Sequence, residues 1–230
     1  SWLNWLEKNM KLNHHMFATV KPTVNSMVVR KLNMIPIECV VRGYFYDSLV
    51  QKWKEGQVQL PNGARTELAA KLPHPIFDPT TKSETHDIPL TKKDAIDRNL
   101  VTKSEYEWLE NTSIEIYQQM AKICDEGGFV LADLKLEFGK INNEIILGDS
   151  VGPDEYRLWP KDSYQVGKTQ ESYDKQLLRD WLASRGYQKK FEDERNSGIE
   201  PVAPELPEEL CNELSSRYIT AYEKITGIKF

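Results

Sequence analysis

Charged and apolar residues alternate strictly in one segment of the chain, FVLADLKLEFG. Asp133, Lys135 and Glu137 occupy every second position, and leucine or phenylalanine follows each of them. Residues two apart on a β-strand point to the same side, so the pattern predicts a strand with one charged face and one core face. The segment EIILGD comes after the polar KINN, and the two segments together predict a β-hairpin.

If this hairpin folds about Ile141, Asp149 lies opposite a residue near Asp133. Three carboxylates and Lys135 then converge, and Mg²⁺ is the natural cation to join like charges that lie so close. The alternative is an exposed face on which these charges form salt bridges with one another. The alternation alone leaves both interpretations open.

Apolar residues at helical spacing predict the main helices. Residues 2–11 carry tryptophans and leucines in this pattern. Ser104 and Glu107 form a capping-box pattern ahead of a longer helix, which Gly127-Gly128 ends. The segment SYDKQLLRDWLASRGY predicts another helix.

The remaining segments predict strands, loops and one last helix. Residues 26–44 contain two apolar runs broken by Asn33 and Pro36, which predict two strands with a kinked connector. Residues 56–90 are rich in proline and predict a long loop, and residues 190–206 predict a charged connector. The last helix is predicted from Pro207, at the first-turn position, to Gly227. These elements place the chain in the α+β class.

Composition narrows the kinds of partner and compartment. The 230 residues carry a formal net charge of −5, which argues against duplex nucleic acid because binding DNA phosphates requires a basic face. The three cysteines are widely separated, so a reducing cytoplasm is the simplest interpretation. No segment approaches the roughly 20 apolar residues of a membrane span. The first residue is Ser1, inside an amphipathic pattern, which is typical of a processed or truncated start.

Two motifs carry arginines that suit an anionic ligand. In VVRGYFYDS, Arg42 follows an apolar strand and precedes Gly43 and Ser48, so a guanidinium and a hydroxyl can meet a phosphate. The alternative is an ordinary turn at the end of a strand. In PDEYRLWP, Arg157 can anchor an anion.

Two further motifs are polar. DPTTKSETHD includes Lys82, Ser83 and Asp87 and can bind carboxylates and amines, although a solvated loop explains it equally. In SYDKQ, Asp174 and Lys175 open a predicted helix, where an acidic residue suits the helix dipole without any further function.

Taken in order, five motifs resemble one known family. They are SMVVRKLNMIPIECVVRGYFYDS, TTKSETHD, LADLKLEFG, LGDSVGPDEYRLWP and SYDKQLLRDWL. Together they resemble the SAICAR synthetase family, the phosphoribosylaminoimidazole-succinocarboxamide synthases of purine biosynthesis, over about residues 1–226. The likeness is to the longer form of the family.

This resemblance implies an α+β, two-lobed fold with an ATP cleft between the lobes. Residues 1–41 would be the remainder of a small N-terminal lobe and the hinge, and residues 42–230 the large lobe with the substrate and metal sites. The start of the small lobe, with a phosphate loop of the GKAK kind, is missing from this sequence. A second departure from the family is Ser150, where a glutamate usually follows the metal-binding aspartate.

The resemblance also implies a reaction. The family uses ATP to join carboxyaminoimidazole ribotide (CAIR) to L-aspartate, most simply through an acyl phosphate, and releases SAICAR, ADP and phosphate. The implied cofactors are ATP and Mg²⁺, and the implied partners are these small molecules, with no nucleic acid and no membrane. A homo-oligomer is left open. The alternative function is a non-catalytic module that binds ribotide or nucleotide but lacks the phosphate loop.

Site residues are implied wherever the motifs match. The implied catalytic residues are Lys135, Asp87 and Arg157. The implied substrate-binding residues are Arg42, Ser48, Lys82, Ser83, Asp87, Arg157, Asp174 and Lys175. The implied ATP-binding residues are Leu32, Met34, Lys135, Glu137 and Asp149, and the last two would also hold Mg²⁺.

Overall fold

The computed structural model describes residues 1–17, 23, 26–82 and 88–230. Seven helices lie within these residues: α1 (Trp2–Met10), α2 (Ser48–Lys54), α3 (Lys92–Asp97), α4 (Lys103–Glu126), α5 (Gln176–Ser184), α6 (Tyr187–Asn196) and α7 (Glu208–Thr226). The strands in the same residues are β1 (Asn33–Phe45), β2 (Ala70–Phe77), β3 (Thr80–Thr81), β4 (Ile88–Pro89), β5 (Phe129–Ile141), β6 (Glu144–Gly148) and β7 (Tyr156–Pro160).

One antiparallel sheet organises the described chain, and its two long strands β1 and β5 pair in the middle. The outer edge of β1 pairs with β2 and β3, and β4 extends the sheet beyond β3. The outer edge of β5 pairs with β7 along its first half and with β6 along its second half. The strand β1 therefore borders β2, β3 and β5, and the strand β5 borders β1, β6 and β7.

Helix α4 covers one face of this sheet. Its buried side chains recur at helical spacing, and they include Leu109, Ile116 and Met120. They pack in the main core against leucines of β5, including Leu134 and Leu136. Burial of each such side chain stabilises the fold by about 1.5–3 kcal/mol relative to exposure. The opposite face of the sheet remains available for polar residues.

The cap of α4 is formed by other residues than those predicted. Thr102 is the N-cap, its side chain accepts from the Glu105 amide, and the Glu105 carboxylate accepts from the Thr102 amide. The prediction of Ser104 with Glu107 is therefore wrong by two residues. The predicted end of the helix is confirmed, because Gly127 is its C-cap.

The predicted hairpin forms, with a correction to its register. Asn142 and Asn143 both have positive φ angles, 49° and 66°, as the tight turn between β5 and β6 requires. Glu137 pairs with Gly148, and β6 ends there. The prediction that Asp149 lies opposite a residue near Asp133 is wrong, because β7 takes over the edge of β5 at that position.

Residues 33–45 form one strand instead of two with a kinked connector. Pro36 is exposed and lies where the register between β1 and β5 shifts, between Met34 and Glu38. A proline is tolerated at such an irregularity because the missing N–H leaves no ladder bond unmade.

Three other predictions about regular structure were wrong. The proposed loop 56–90 contains β2, β3 and β4, and the proposed connector 190–206 begins with helix α6. Pro207 is the N-cap of α7 instead of a first-turn residue, while Gly227 ends that helix as predicted. In the described part of the chain, every helix is too short or too polar to cross a membrane.

Candidate active site

A cavity of about 230 Å³ opens on the face of the sheet away from α4. Its lining combines six basic residues with four acidic ones. The basic residues are Arg42, Lys52, Lys135, Arg157, Lys175 and Arg179. The acidic residues are Glu38, Asp47, Asp133 and Glu155, and Val40, Ser48, Thr80 and Tyr156 complete the lining. A cavity of this composition suits a small, strongly anionic ligand.

Three charged residues from neighbouring strands form an arginine row, defined here as Arg42 of β1, Asp133 of β5 and Arg157 of β7. Asp133 pairs with Arg42 across one edge of β5 and with Arg157 across the other. Its Oδ2 accepts from Arg42 Nη1 at 3.2 Å and from Arg157 Nη1 at 2.6 Å. Directly opposed residues share a face, so the sheet register alone brings the two guanidinium groups to one carboxylate.

A bulge in β5 turns Asp133 toward the cavity. Leu131 and Leu134 both lie in the main core, although strict alternation would place residues three apart on opposite faces. The register with β7 shifts between Leu131 and Asp133, which leaves Ala132 as the extra residue. Bulges commonly re-aim side chains beside functional sites, and this one directs Asp133 away from the core.

The Arg42 guanidinium is held by three side chains. Its Nε donates to Asp78 at 3.1 Å, and its Nη2 donates to Ser48 Oγ at 2.8 Å. Lys52 Nζ donates to both oxygens of Asp78 at 2.8 Å. Arg42, Lys52 and Asp78 are all more than 90% buried. Burial and bonding on several sides fix the direction of the fork, which is what recognition of a phosphate requires.

A second group, the lysine cluster, consists of Lys82, Lys135, Glu38 and Glu137. Glu38 and Glu137 are direct cross-strand neighbours. Lys135 Nζ lies 2.9 Å from Glu137 Oε1 and 3.7 Å from Glu38 Oε1, and Lys82 Nζ lies 2.6 Å from Glu137 Oε2. The lysines therefore offset the repulsion between two carboxylates that face each other on adjacent strands.

The environment of the lysine cluster keeps Lys135 and Glu137 charged. Burial lowers the pKa of Lys135, but the carboxylates of Glu137 and Glu155 outweigh burial and raise that pKa above its usual value. Burial likewise opposes ionisation of Glu137, yet bonds from Lys82 and Lys135 bring its pKa below the ordinary range. A phosphate that enters here meets the Lys135 ammonium group, whose positive charge is secure at neutral pH.

Asp149 follows the end of β6 in a left-handed conformation with φ 60°. Its Oδ1 accepts from the Ser150 amide at 2.8 Å, so Ser150 contributes its backbone to this turn. Glu137 lies across from Gly148, and Asp149 is the next residue along the chain. Glu137 and Asp149 are thus one residue out of register. Mg²⁺ usually keeps several water and phosphate ligands, so two protein carboxylates are enough to bind it. The residues described form no cluster of three or more histidine, cysteine or acidic side chains suited to a metal.

Comparison with known proteins identifies the family. The family model for SAICAR synthetase matches residues 1–194. A phosphoribosylaminoimidazole-succinocarboxamide synthase of Nitrosopumilus maritimus is 64% identical over 203 residues, which cover 88% of this chain and 74% of that relative. The chain belongs to the SAICAR synthetase family. A synthase of the same name from Candida maltosa is 39% identical over 213 residues, 89% of this chain and 67% of its own length.

Solved structures of SAICAR synthetases agree with this assignment. The SAICAR-synthase of Saccharomyces cerevisiae complexed with SAICAR matches with a TM-score of 0.77 and 29% identity, over 100% of this chain and 79% of that one. A SAICAR synthetase in complex with ADP matches with a TM-score of 0.69 and 25% identity, over 99% and 78% of the two chains. The α+β fold of SAICAR synthetase type, inferred from the motifs, is confirmed.

Five of the thirteen residues that the motifs indicated line the cavity of this SAICAR synthetase. Arg42, Ser48, Arg157, Lys135 and Lys175 all line it. The lysine cluster adds Lys82 and Glu137 through their contacts with each other and with Lys135. Ser83 and Asp87 lie outside the described residues.

Asp174 occupies a different place from the one predicted. It is fully buried, and its carboxylate accepts from the Leu158 and Gln176 amides at 2.8 Å each. Its hydrogen bonds therefore link Leu158 of β7 to the start of α5. Asp174 is not part of the cavity lining. Lys175, the next residue, does line the cavity, and burial together with the charge of Arg179 lowers its pKa.

Leu32 and Met34 cover two glycines of the β5/β6 hairpin. A Cβ atom on Gly139 would lie 2.7 Å from Leu32 Cβ, and one on Gly148 would lie 3.1 Å from Met34 Cε. The glycines allow these two side chains to lie flat on the hairpin. Gly139 is two residues after Glu137 on β5, and Gly148 is the cross-strand partner of Glu137. Met34 remains 42% exposed, which leaves an apolar surface beside the lysine cluster.

Several residues of the site lie outside the set that the motifs predicted. Asp47, Lys52, Asp78, Glu38, Glu155 and Arg179 were not singled out. A signal existed for Glu38, which alternates with the core residues Ile37 and Cys39 as the charged residues of β5 alternate with theirs. Asp78 carried no comparable signal, because its partners come from distant parts of the sequence.

Proposed function

We propose that this SAICAR synthetase uses ATP to join the carboxylate of CAIR to the amine of L-aspartate, giving SAICAR, ADP and phosphate. One observation carries the proposal: in a chain of this family, the arginine row and the lysine cluster form adjacent parts of one anionic-ligand site. The alternative, a non-catalytic binding module, has no feature of the described residues in its favour.

The ribotide phosphate is assigned to the arginine row. Arg42 and Arg157 present forks held by buried carboxylates, and Ser48 Oγ lies 2.8 Å from Arg42 Nη2 as a further donor. A dianionic phosphate takes several such charge-assisted bonds at once. The yeast relative complexed with SAICAR supports a ribotide site in this fold.

The nucleotide is assigned to the hairpin side of the site. The relative in complex with ADP supports this assignment, and the exposed Met34 with Leu32 offers an apolar platform for an adenine ring. Glu137 and Asp149 would hold Mg²⁺ in the nucleotide complex, because they are two carboxylates in neighbouring positions. Bound Mg²⁺ would neutralise charge on the transferred phosphoryl group.

The chemistry that these residues support is charge neutralisation and positioning. Lys135 joins the two halves of the site, since it contacts Glu137 and also lines the cavity beside Arg157. There it would offset the negative charge of a carboxylate that meets a phosphoryl group. An acyl phosphate formed at this point is close enough to the cavity for an amine to reach it. Lys82 adds a second ammonium group, and Ser83 and Asp87 stay predictions for the same pocket.

The test is an assay of ADP formation by the enzyme expressed from its full reading frame. ADP release should require CAIR and aspartate together. ADP release that is indifferent to aspartate would refute the ligase proposal. Calorimetry separates the alternative, because a module of the second kind would bind the ribotide without binding Mg-ATP.

The remaining expectations concern cell context and assembly. A reducing cytoplasm suits this enzyme, since Cys39 and Cys124 are buried thiols and Cys211 is an exposed one. Its partners would be small molecules and not nucleic acid, in keeping with the net charge of −5. The division at residue 41 into two lobes falls within β1 and stays a prediction, as does a homo-oligomer.

A further inference from the structure

One acidic residue of the cavity has no role in the proposed function. Glu155 lies two positions before Arg157, and its side chain is 11% exposed. Its backbone carbonyl accepts from the Lys135 amide at 2.8 Å, which fixes this segment against β5. The carboxylate is therefore held where the arginine row meets the lysine cluster.

The other acidic residues of the cavity lining already accept hydrogen bonds. Asp133 accepts from both arginines of the arginine row, and Asp47 accepts from Arg157. Glu38 accepts from Thr80 Oγ1 at 2.9 Å. These carboxylates are committed to groups of the protein, so a ligand would have to displace a bond to use them.

Glu155 differs because Lys135 is the one ion-pair partner of its buried Oε2 among the described residues. Lys135 Nζ is 3.0 Å from this oxygen, and the same ammonium is also 2.9 Å from Glu137. A carboxylate oxygen accepts more than one hydrogen bond, so a ligand with an N–H group can bind here without displacing a bond of the protein. The site thus contains one carboxylate with acceptor capacity left for a ligand.

Only one substrate of the proposed reaction brings a cationic donor. The donors of CAIR and ATP, their ring amino groups and ribose hydroxyls, are neutral, whereas aspartate carries an α-ammonium group. This group must lose a proton before its nitrogen can attack. Resting on the proposed function, we infer that Glu155 receives the α-ammonium group of aspartate and accepts one of its protons.

The proposed step balances as follows in bonds and charges. A proton passes from the ammonium nitrogen to the Glu155 carboxylate, and the nitrogen lone pair becomes free. The C–N bond forms at the acyl carbon, the bond from that carbon to the phosphate oxygen breaks, and phosphate leaves with the electron pair. The departing phosphate takes the second proton of the nitrogen, and Glu155 returns its proton to water.

The surroundings of Glu155 suit a base. Burial raises its pKa above the ordinary value, and the charges of Lys135 and Lys175 offset this effect only in part, while Asp154 adds to it. A carboxylate with a raised pKa is a stronger base toward an ammonium group. Three basic residues line the same cavity: Lys135 of β5, Lys175 just before α5, and Arg179 of α5. The other acidic residues of the lining accept hydrogen bonds from groups of the protein, so they are not free to compete with Glu155 for the proton.

The main test is the pH dependence of kcat/KM for aspartate in Glu155→Gln. With Glu155 present, the abundant ammonium form of aspartate is a usable substrate at neutral pH. The variant has to capture the scarce free amine, so its rate should be lower on the order of 100-fold near neutrality. Its deficit should then shrink about tenfold with each unit of rising pH, since the free amine increases in that proportion.

Hydroxylamine provides a second readout, because it is a nucleophile that is already neutral at pH 7. Trapping of the acyl phosphate as a hydroxamate should proceed equally in wild type and Glu155→Gln. If wild type forms no hydroxamate, the pH series decides alone. A deficit of equal size at every pH, or no deficit at all, would overturn the inference, since a purely structural counter-ion of Lys135 behaves in the first of these ways.

Two matched variants complete the design. Asp162→Asn removes the same charge from an exposed residue outside the cavity lining, and it should keep the wild-type pH profile. Glu38→Gln removes a different carboxylate from Lys135 and should slow both nucleophiles in parallel. Failure of the proposed function is distinguishable from failure of the Glu155 inference. If the ligase proposal is wrong, the wild-type protein itself releases ADP without CAIR or aspartate, or releases none at all.

Discussion

Asp133→Asn is the substitution that tests most directly how the site is held together. The side chains of Arg42, Asp133 and Arg157 are only 7%, 10% and 9% exposed. A single oxygen, Asp133 Oδ2, accepts from both guanidinium groups. Asparagine keeps the shape of the side chain and one acceptor oxygen for the position of Oδ2, but it removes the negative charge that the two guanidinium groups share.

The size of the effect follows from what each arginine retains. Removing one partner of a buried ion pair costs about 3–5 kcal/mol when the other charge is left uncompensated. Arg42 still has Asp78 at 3.1 Å, and Arg157 still has Asp47 as a partner. The loss should therefore be smaller, about 2–3 kcal/mol in the free energy of unfolding, which lowers Tm by about 4–12 °C in a chain of this length.

Urea and thermal unfolding followed by circular dichroism measure this loss. The matched control is Asp97→Asn, which removes a carboxylate from the exposed pair with Lys93, whose side chains are 57% and 82% exposed. Exposed pairs are worth about 0–1 kcal/mol, so the control should be almost unchanged. If Asp133→Asn unfolds at the same urea concentration as the control, the arginine row is not held by Asp133 and the reasoning is refuted.

Three further substitutions test other parts of the fold and site. Gly43→Ala would place a Cβ 1.7 Å from the hydroxyl of buried Tyr117, so the free energy of unfolding should fall by about 1–3 kcal/mol in urea, and an unchanged midpoint would contradict this packing. Arg157→Lys loses the planar fork, so KM for CAIR should rise about 10- to 100-fold in steady-state assays, whereas an equal rise for ATP would argue against a ribotide role. Asp149→Asn should abolish turnover with an unchanged circular dichroism spectrum, and an unaltered kcat would remove Asp149 from the metal site.

The strand pattern predicted the face of the site but not its partners. Alternation in β5 correctly placed Lys135 and Glu137 away from the core, because residues two apart share a face whatever the rest of the fold does. The partners of Asp133 come from β1 and β7, 91 and 24 residues away in sequence. Contacts of that kind depend on strand order and register, which no local pattern specifies.

Two errors in the fold prediction have separate physical causes. Prolines led to the prediction of a loop where β2 lies, yet among the described strands β2 pairs only with β1, and a strand with one free edge has fewer ladder bonds for proline to remove. Helix α6 has no buried residue, so it lacks the apolar periodicity by which a helix is predicted. Its glutamine, lysines and glutamates are good helix formers, and propensity alone carried the missing signal.

The active-site face depends on an irregularity in one of the two central strands. In β5, the extra residue Ala132 shifts the alternation by one, so that Asp133 and Lys135 line the cavity although Leu131 lies in the core. In β1, the register with β5 shifts before Glu38, and from there every second residue up to Arg42 lines the cavity. In β5, a regular strand would reverse the facing of the residues beyond Leu131, since a slip of one position exchanges the two faces. In β1, the pairing with β5 slips by two positions, from Met34 opposite Gly139 to Glu38 opposite Glu137, so the alternation of core and cavity residues in β1 continues unbroken. The bulge at Ala132 therefore brings the charged residues of β5 into phase with those of β1.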